Sequence, residues 1–547
     1  MQDGPFFQFW RTNRLALASA AFVLGGFGVQ ACIAQQPAAG EPRRPNVVIF
    51  MTDDQSQEDF ACLGGDALTP TFDRIASEGL TLHNMHVTST VCSPSRYSLL
   101  TGRYAGRCSS EHFMKEHPAG TMTRVENNAE LEPDRPNLPR QLRALGYRTG
   151  FVGKSHVIDH RVLDHPASWE QYGLQAYDKT DDPRDPAINA RFQHNHQWWC
   201  DRMKPYGFDE VDAFYAGNLR ELYNEHTNVH NPDWTVAAAN DFIRRNADVP
   251  FFLYVATTVP HGPAPWAMPK GKLAYSLDAD PRMTGEGYLD TAPESGMRTR
   301  QSVRQRVQDA NLNVRLRHHA TWIDDAVGSI LQTLESRGID DDTLFIFLSD
   351  HGSRRHGKTT LYDNGMKVPS FARWPNGISP GTQTQALLTN IDIAPTILEL
   401  AGSTQAQDMD GRSFAGVLQD PAQPHRHEIF GELGYARAIK TADWKYIATR
   451  YPANIQKQID AGKLFDGFED RKIERPYLTR NGHLGHFAAE QNPHYFVADQ
   501  LYDLRNDPQE TTNVADQHPE VVAEMKQRLS AQLKQFEDRP FGEFTEE

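Results

Sequence analysis

Three unbroken apolar runs stand out along the chain: Val47-Val48-Ile49-Phe50-Met51, Phe251-Phe252-Leu253-Tyr254-Val255 and Leu344-Phe345-Ile346-Phe347-Leu348. A strand with one wet face alternates apolar and polar side chains, whereas a strand covered on both faces does not. The runs therefore predict central strands of a large, mainly parallel sheet flanked by helices. Each is followed closely by Asp or His: Asp53-Asp54, then His261, then Asp350-His351. Open α/β sheets bind ligands outside the carboxyl ends of their strands, so these polar residues are the first candidates for a site.

Helical periodicity fills the intervals. Trp322, Ile323, Ala326, Val327, Ile330, Leu331 and Leu334 recur on one face, and Gly338 is placed to stop that helix just before the third strand. Residues 263–304, rich in Pro, Gly and charge, read as a long surface excursion. Beyond residue 404 the pattern changes. Arg437–Lys440 and Trp444–Ala448 predict short antiparallel strands joined by a tight turn, and a last helix after Pro519 carries Val522, Met525, Leu529, Leu533 and Phe536 on one face. The expected organisation is a catalytic α/β domain over 45–404 and a smaller α+β subdomain over 405–547, preceded by a linker over 35–44.

The first 34 residues differ from the rest. Arg11 and Arg14 precede an apolar run from Leu15 to Val29, with small residues at Ala31 and Ala34, which is the layout of a secretory signal. The run is short and Gly-interrupted for a membrane span, so no transmembrane span is expected after processing. Val29-Gln30-Ala31-Cys32 is also loosely similar to a lipoprotein cleavage site. The expected location is outside the cytoplasm: periplasmic, secreted or lipid-anchored.

At 547 residues the chain is long enough to build its own core, and a formal net charge of −15 argues against a nucleic-acid partner. An anionic substrate would instead need Arg, Lys and His concentrated locally. Cys62, Cys92, Cys108 and Cys200 follow the signal segment, too few for a disulfide framework. The carboxylates at the strand ends form an oxygen-rich cluster, which suits a hard divalent cation better than zinc.

The run Val91-Cys92-Ser93-Pro94-Ser95-Arg96-Tyr97-Ser98-Leu99-Leu100-Thr101-Gly102-Arg103 is the most specific motif. It resembles the signature of type I sulfatases of the alkaline phosphatase-like superfamily, whose cysteine is oxidised after translation to formylglycine. Further segments are similar to that family in the same order: Pro45–Gln55, Gly153-Lys154-Ser155-His156, Pro260-His261-Gly262-Pro263, Ser349-Asp350-His351-Gly352, Gly357-Lys358 with Tyr362 and Val368-Pro369, and Leu501–Val514. Three departures touch the site's surroundings: Ser155 stands where the family often has Trp, and Asp363 and Lys367 stand where it often has Glu and Arg.

The resemblance implies a sulfuric ester hydrolase acting on O-sulfate esters. Asp53, Asp54, Asp350, His351 and the converted Cys92 would hold one cation, with calcium favoured because its flexible shell accepts this ligand set. Cys92, as formylglycine made by a generating maturation enzyme, would be hydrated, and one hydroxyl would attack sulfur. Arg96 would orient the hydrated aldehyde, Lys154 and Lys358 would offset charge on the transferring group, His261 would protonate the leaving alcohol, and His156 would help expel sulfate. Trp198-Trp199, near His194 and His196, offers either a sugar-stacking face or core packing. A sulfated carbohydrate, derived from an extracellular polysaccharide, is the expected substrate. The alternatives are a phosphonate or phosphate ester hydrolase of the same superfamily and a non-catalytic sulfated-glycan binder with Cys92 unconverted.

Overall fold

The computed structural model describes residues 44–262, 276–353, 357–404, 407–461, 492–536 and 538–545. The predicted signal segment, nearly all of the linker and residues 263–275 of the predicted excursion lie outside them. The described residues form one compact unit.

Its body is an eight-stranded sheet of β1 (Asn46–Thr52), β2 (Leu80–Leu82), β3 (Arg148–Lys154), β4 (Glu210–Tyr215), β5 (Phe251–Ala256), β6 (Thr343–Ser349), β7 (Ser370–Arg373) and β8 (Thr382–Thr384), in the order β8-β2-β7-β6-β1-β5-β3-β4. The sheet is parallel except where β7 runs against its neighbours β6 and β2. Ile49 at the middle of β1 lies opposite Tyr254 on one side and Ile346 on the other. The three apolar runs are thus the three central strands.

Both faces are covered, as unbroken apolar strands require. Val47, Ile49 and Met51 pack into one cluster with Leu99 and Leu100 of α1 (Cys92–Thr101) and Phe192 and Trp199 of α2 (Pro186–Met203). Val48 and Phe50 point the other way, into Phe242 and Ile243 of α3 (Pro232–Asn246) and Ile323, Val327 and Ile330 of α4 (Val314–Arg337). Helix α4 ends where predicted, with Gly338 in the left-handed region at φ +66°. Truncating one of these buried Leu or Ile side chains to Ala typically costs about 2–5 kcal/mol.

The second sheet is antiparallel: β9 (Ile429–Leu433), β10 (Ala436–Lys440), β11 (Trp444–Thr449) and β12 (Asp499–Asp503), in sequence order. Met525, Leu529 and Leu533 of α5 (Pro519–Leu533), and Phe536 beyond it, pack on Ile439, Tyr446 and Leu501. The opposite face meets Leu361, Tyr362 and Met366, just after Lys358. The described part of the predicted excursion is more ordered than its composition suggests. It contains a short hairpin (Met283–Thr284 with Gly287–Tyr288) and a helix over Arg300–Asp309, anchored by buried Val303 and Val307.

This topology decides where a site can form. Strands β6, β1, β5 and β3 are adjacent and parallel, so Ser349, Thr52, Ala256 and Lys154 end at one edge.

Candidate active site

Cys92 is the first residue of α1, entered from an extended Val91 (φ −134°, ψ 157°). The whole helix is buried, and Gly102 closes it at φ +66°. The thiol therefore sits at a helix N-terminus, where partial positive charge favours an anion. Its sulfur lies 3.6 Å from Asp53 Oδ1, 3.4 Å from His351 Nε2 and 3.5 Å from Lys358 Nζ. Burial pushes the thiol up, but the cations Lys154 and Lys358, with hydrogen bonds from His156 and His261, outweigh it and hold it well below the usual thiol range. The other three described cysteines, Cys62, Cys108 and Cys200, are free, and burial pushes each of them up.

The carboxylates are bound to cations on every side. Arg96, fully buried, donates from Nε and Nη2 to Asp350 Oδ2 at 3.1 and 3.0 Å, from Nη2 to Asp53 Oδ2 at 3.1 Å and from Nη1 to the Lys154 carbonyl at 3.1 Å. Most of its N–H groups are thus spent on the carboxylates and on the end of β3. Arg96 ties both carboxylates to the end of β3. Lys154 Nζ donates to Asp53 and, at 2.7 Å, to Asn218 Oδ1, while Lys358 Nζ donates to Asp54 Oδ1 at 2.6 Å. Burial raises both Asp53 and Asp350, with unequal outcomes. Lys154, His261 and Arg96 hold Asp53 well below the carboxylate range, whereas Asp350, beside the Asp53 charge, is pushed up to about 6. Burial lowers His351, yet Asp350 outweighs it and lifts the imidazole to about 9.

Local backbone explains the glycines of the motifs. Gly153 has φ +96°, and a Cβ there would stand 1.9 Å from the Ala256 carbonyl oxygen. Only glycine lets β3 run this close to β5 before Lys154 turns inward. Asp54 and His156, neither of them glycine, are also left-handed at φ +67° and +57°, the strain that tight functional turns hold. His156 is buried, burial pushes it down to about 4, and its Nδ1 has no hydrogen-bond partner. A neutral imidazole with a free ring nitrogen is a proton acceptor. His261, half-buried, points Nδ1 at the Gly262 carbonyl (3.0 Å).

The donor set fits a hard cation. Asp53, Cys92, Asp350 and His351 each present one ligand atom within 4.8 Å of the others, and Asp53, Asp54 and His261 do the same. His351 Nδ1 lies 2.9 Å from the Gly352 carbonyl, which turns Nε2 toward Asp54 and Asp350 (both 3.5 Å). That is the arrangement of a ligating imidazole, one nitrogen tethered and the other aimed at the metal. Buried Asp53 and Asp350 beside His351, with Asp54 on the other side of Asp53, are what an oxygen-seeking ion satisfies.

Comparison with known proteins agrees with this geometry. The sulfatase family model matches residues 45–403, and that for the N-sulphoglucosamine sulphohydrolase C-terminal region matches 351–472. The chain belongs to the sulfatase family. An ulvan-active sulfatase of Formosa agariphila is 24% identical over 485 residues, covering 86% of this chain and 76% of its own. The steryl-sulfatase of Rattus norvegicus is 25% identical over 585 residues (91% and 90%). A solved structure in complex with its substrate D-glucosamine-2-N,6-O-disulfate aligns over 92% of this chain and 100% of its own with a TM-score of 0.56 at 18% identity, which shows the shared fold. This sulfatase is accordingly a sulfuric ester hydrolase.

All the residues singled out for the sulfatase site meet at the sheet edge: Asp53, Asp54, Cys92, Arg96, Lys154, His156, His261, Asp350, His351 and Lys358. Ser155 does not form a pocket wall, since its Oγ turns to Met203 Sδ (3.9 Å) in the core. Asp363 also faces away, to Lys440 and Lys445. Trp199 is core, whereas Trp198 is half-buried. His196 serves structure: its Nε2 accepts from the Phe214 amide at 3.1 Å. Sequence reasoning missed Asn218, Glu221 and His160. Asn218 holds Lys154, Glu221 accepts from Asn218 N and Nδ2 (2.7 and 2.8 Å), and the His160 ring stands 5.0 Å from His156. Spacing from His156 hinted at His160, but no motif marks the other two.

Proposed function

We propose that this sulfatase removes O-sulfate from a sulfated saccharide of an extracellular polysaccharide, using formylglycine made from Cys92 by a maturation enzyme and one calcium ion. The observation that carries the reading is the meeting of Asp53, Asp350, His351 and Lys358 at the Cys92 sulfur. A related ulvan-active sulfatase and a neighbour solved with a disulfated glucosamine support the sugar class. Asp53, Asp54, Asp350 and His351 would hold the cation; calcium suits the ligand number and the mixed carboxylate set. A cation bound there would polarise sulfate oxygens and lower the pKa of a nearby hydroxyl. Formylglycine supplies, in hydrated form, the hydroxyl that attacks sulfur.

The remaining steps belong to the chain's own side chains. Lys154 and Lys358, now neutralising Asp53 and Asp54, are placed to donate to sulfate oxygens, each worth about 2.7–4 kcal/mol by analogy with oxyanion-hole donors. His261, at the half-exposed rim, protonates the leaving alcohol. His156, buried and neutral, takes a proton to release sulfate. Arg96 keeps Asp53 and Asp350 in register throughout. The N-terminal Arg-then-apolar layout supports export, and no helix of the described residues is long and apolar enough to cross a membrane.

The test is sulfate release from a panel of sulfated saccharides beside aryl, steroid, choline and phosphate esters. Preference for a saccharide, lost on exhaustive chelation and restored by calcium, is the expected outcome. Preference for a steroid or aryl sulfate overturns the substrate, faster phosphate turnover overturns the reaction, and full activity after chelation overturns the cation.

A further inference from the structure

Immediately after His156 the chain folds into a wall that the hydrolytic chemistry does not use. Residues 159–172 and the outer face of α2 enclose a cavity of about 190 Å³, lined among others by Asp159, Arg161, His165, Tyr172, Trp198 and Arg202. Arg161 follows His156 by five positions, a span of no more than about 18 Å fully extended. One edge of the cavity is therefore a neighbour of the site.

Its lining combines two chemistries. Trp198 is half-buried and braced edge-to-face against core Trp199 (centroids 4.8 Å apart). Tyr172 is 57% exposed, the most exposed large apolar side chain among the described residues. Aromatic rings beside a few polar and charged groups in a concavity are the usual lining of a ligand pocket. Arg202, one helical turn after Trp198, lies with its guanidinium 4.6 Å from the Trp198 ring centroid. It has no hydrogen-bond or ion-pair partner among the described residues. Arg161 is different: it is committed to Glu130 at 2.6 Å and Asp159 at 2.9 Å. The cavity thus offers one unspent guanidinium, pre-oriented by stacking, whose fork matches a carboxylate or sulfate. Helix α2 is itself fixed by Asp185, which caps Ala187 N and Ile188 N ahead of Pro186.

We propose that this cavity is a second sugar subsite, taking a pyranose that carries a carboxylate or sulfate and belongs to the same oligosaccharide as the residue being desulfated. The proposal rests on the saccharide reading above and deepens it: the substrate is an anionic oligosaccharide rather than a monosaccharide. Trp198 and Tyr172 stack on sugar faces, Arg202 binds the anion, and Asp159 accepts from ring hydroxyls.

The test uses full-length Cys92→Ala protein, which binds without turnover, on an array of ulvan, chondroitin sulfate and heparin oligosaccharides. Carboxyl-reduced and desulfated versions of each are included. Binding of at least one oligosaccharide of two or more sugars is expected, weakened at least tenfold by adding Arg202→Ala or Trp198→Ala. Arg202→Lys is expected to recover only part of the loss, because an ammonium lacks the fork. Thermal unfolding of each variant confirms that the fold is retained. Loss of binding on carboxyl reduction or on desulfation identifies which anion Arg202 reads. Equal affinity in wild-type background, Arg202→Ala and Trp198→Ala overturns the subsite while leaving the saccharide reading standing. Binding of no oligosaccharide overturns both.

Discussion

Two clusters of buried charge lie on either side of the segment that begins at Lys358, and they behave differently. The one beneath the second sheet is closed. Asp363 accepts from Lys440 and, at 2.7 Å, from Lys445; Lys445 also meets Glu510 at 2.7 Å; the Asp363 amide donates to Glu510 at 2.6 Å; and Lys440 donates to His86 Nε2 at 2.9 Å. His86 Nδ1 is tied to the Asn84 carbonyl at 2.8 Å. The cluster at Cys92 is open. His156 Nδ1 and the Gln55 amide have no partner, Asp350 is pushed up to about 6 beside an ionised Asp53, and two lysines face one sulfur. Burial of charge is common to both. The crowding of Asp53, Asp350, His351 and Lys358 round one sulfur marks the Cys92 cluster as the candidate for chemistry, whereas the other joins the small sheet to the body.

Substitutions that confuse the two roles would break this comparison. The largest effect is expected from Asp53→Asn or Asp350→Asn, isosteric changes that remove a ligand charge: sulfate release per folded molecule should fall by at least about 10³-fold. Wild-type turnover in Asp350→Asn would make this cluster as structural as the other. Next is Lys445→Met, which leaves Asp363 and Glu510 buried with less compensation. It should cost about 3–5 kcal/mol of stability by denaturant titration, while turnover by the folded fraction stays close to wild type. An unmoved unfolding midpoint would show that the closed cluster holds nothing together. The smallest effect concerns pH. Burial, followed by the Lys440 charge, pushes His86 down to about 4. The unfolded chain therefore binds this proton more readily, so stability is complete above the ordinary histidine range and is lost as pH falls from about 6.5 to about 4. His86→Gln should flatten that part of the stability profile by roughly 2–3 kcal/mol; an unchanged slope would mean that His86 is not buried as a neutral group.

The sequence made the centre of the fold legible and its margins less so. Strands β1, β5 and β6 are continuous apolar runs, and Gly338 ends α4, because burial on both faces and a left-handed stop leave unmistakable marks. Strand β3, read Arg-Thr-Gly-Phe-Val-Gly-Lys, and the short β2, β7 and β8 carry no such mark and are held by their neighbours in the sheet. The site was legible wherever a motif clustered its residues at a strand end. Asn218 and Glu221 were not, since they reach Lys154 and His156 only through the turn after β4 and serve the site by holding other side chains. Adjacent Trp198 and Trp199 could be read as core or as a sugar face; helical geometry buries Trp199 and leaves Trp198 half-buried.

The most direct test of the central claim, that the open cluster is a sulfatase site built on Cys92, is sulfate release by wild-type and Cys92→Ala protein from the same expression with an active maturation system. The wild-type Cys92 peptide should be lighter by the sulfur-to-oxygen exchange of thiol to aldehyde and should accompany turnover. Cys92→Ala should fold with the same unfolding midpoint within about 1 kcal/mol and release essentially no sulfate. Sulfate release by Cys92→Ala at the wild-type rate would contradict the account.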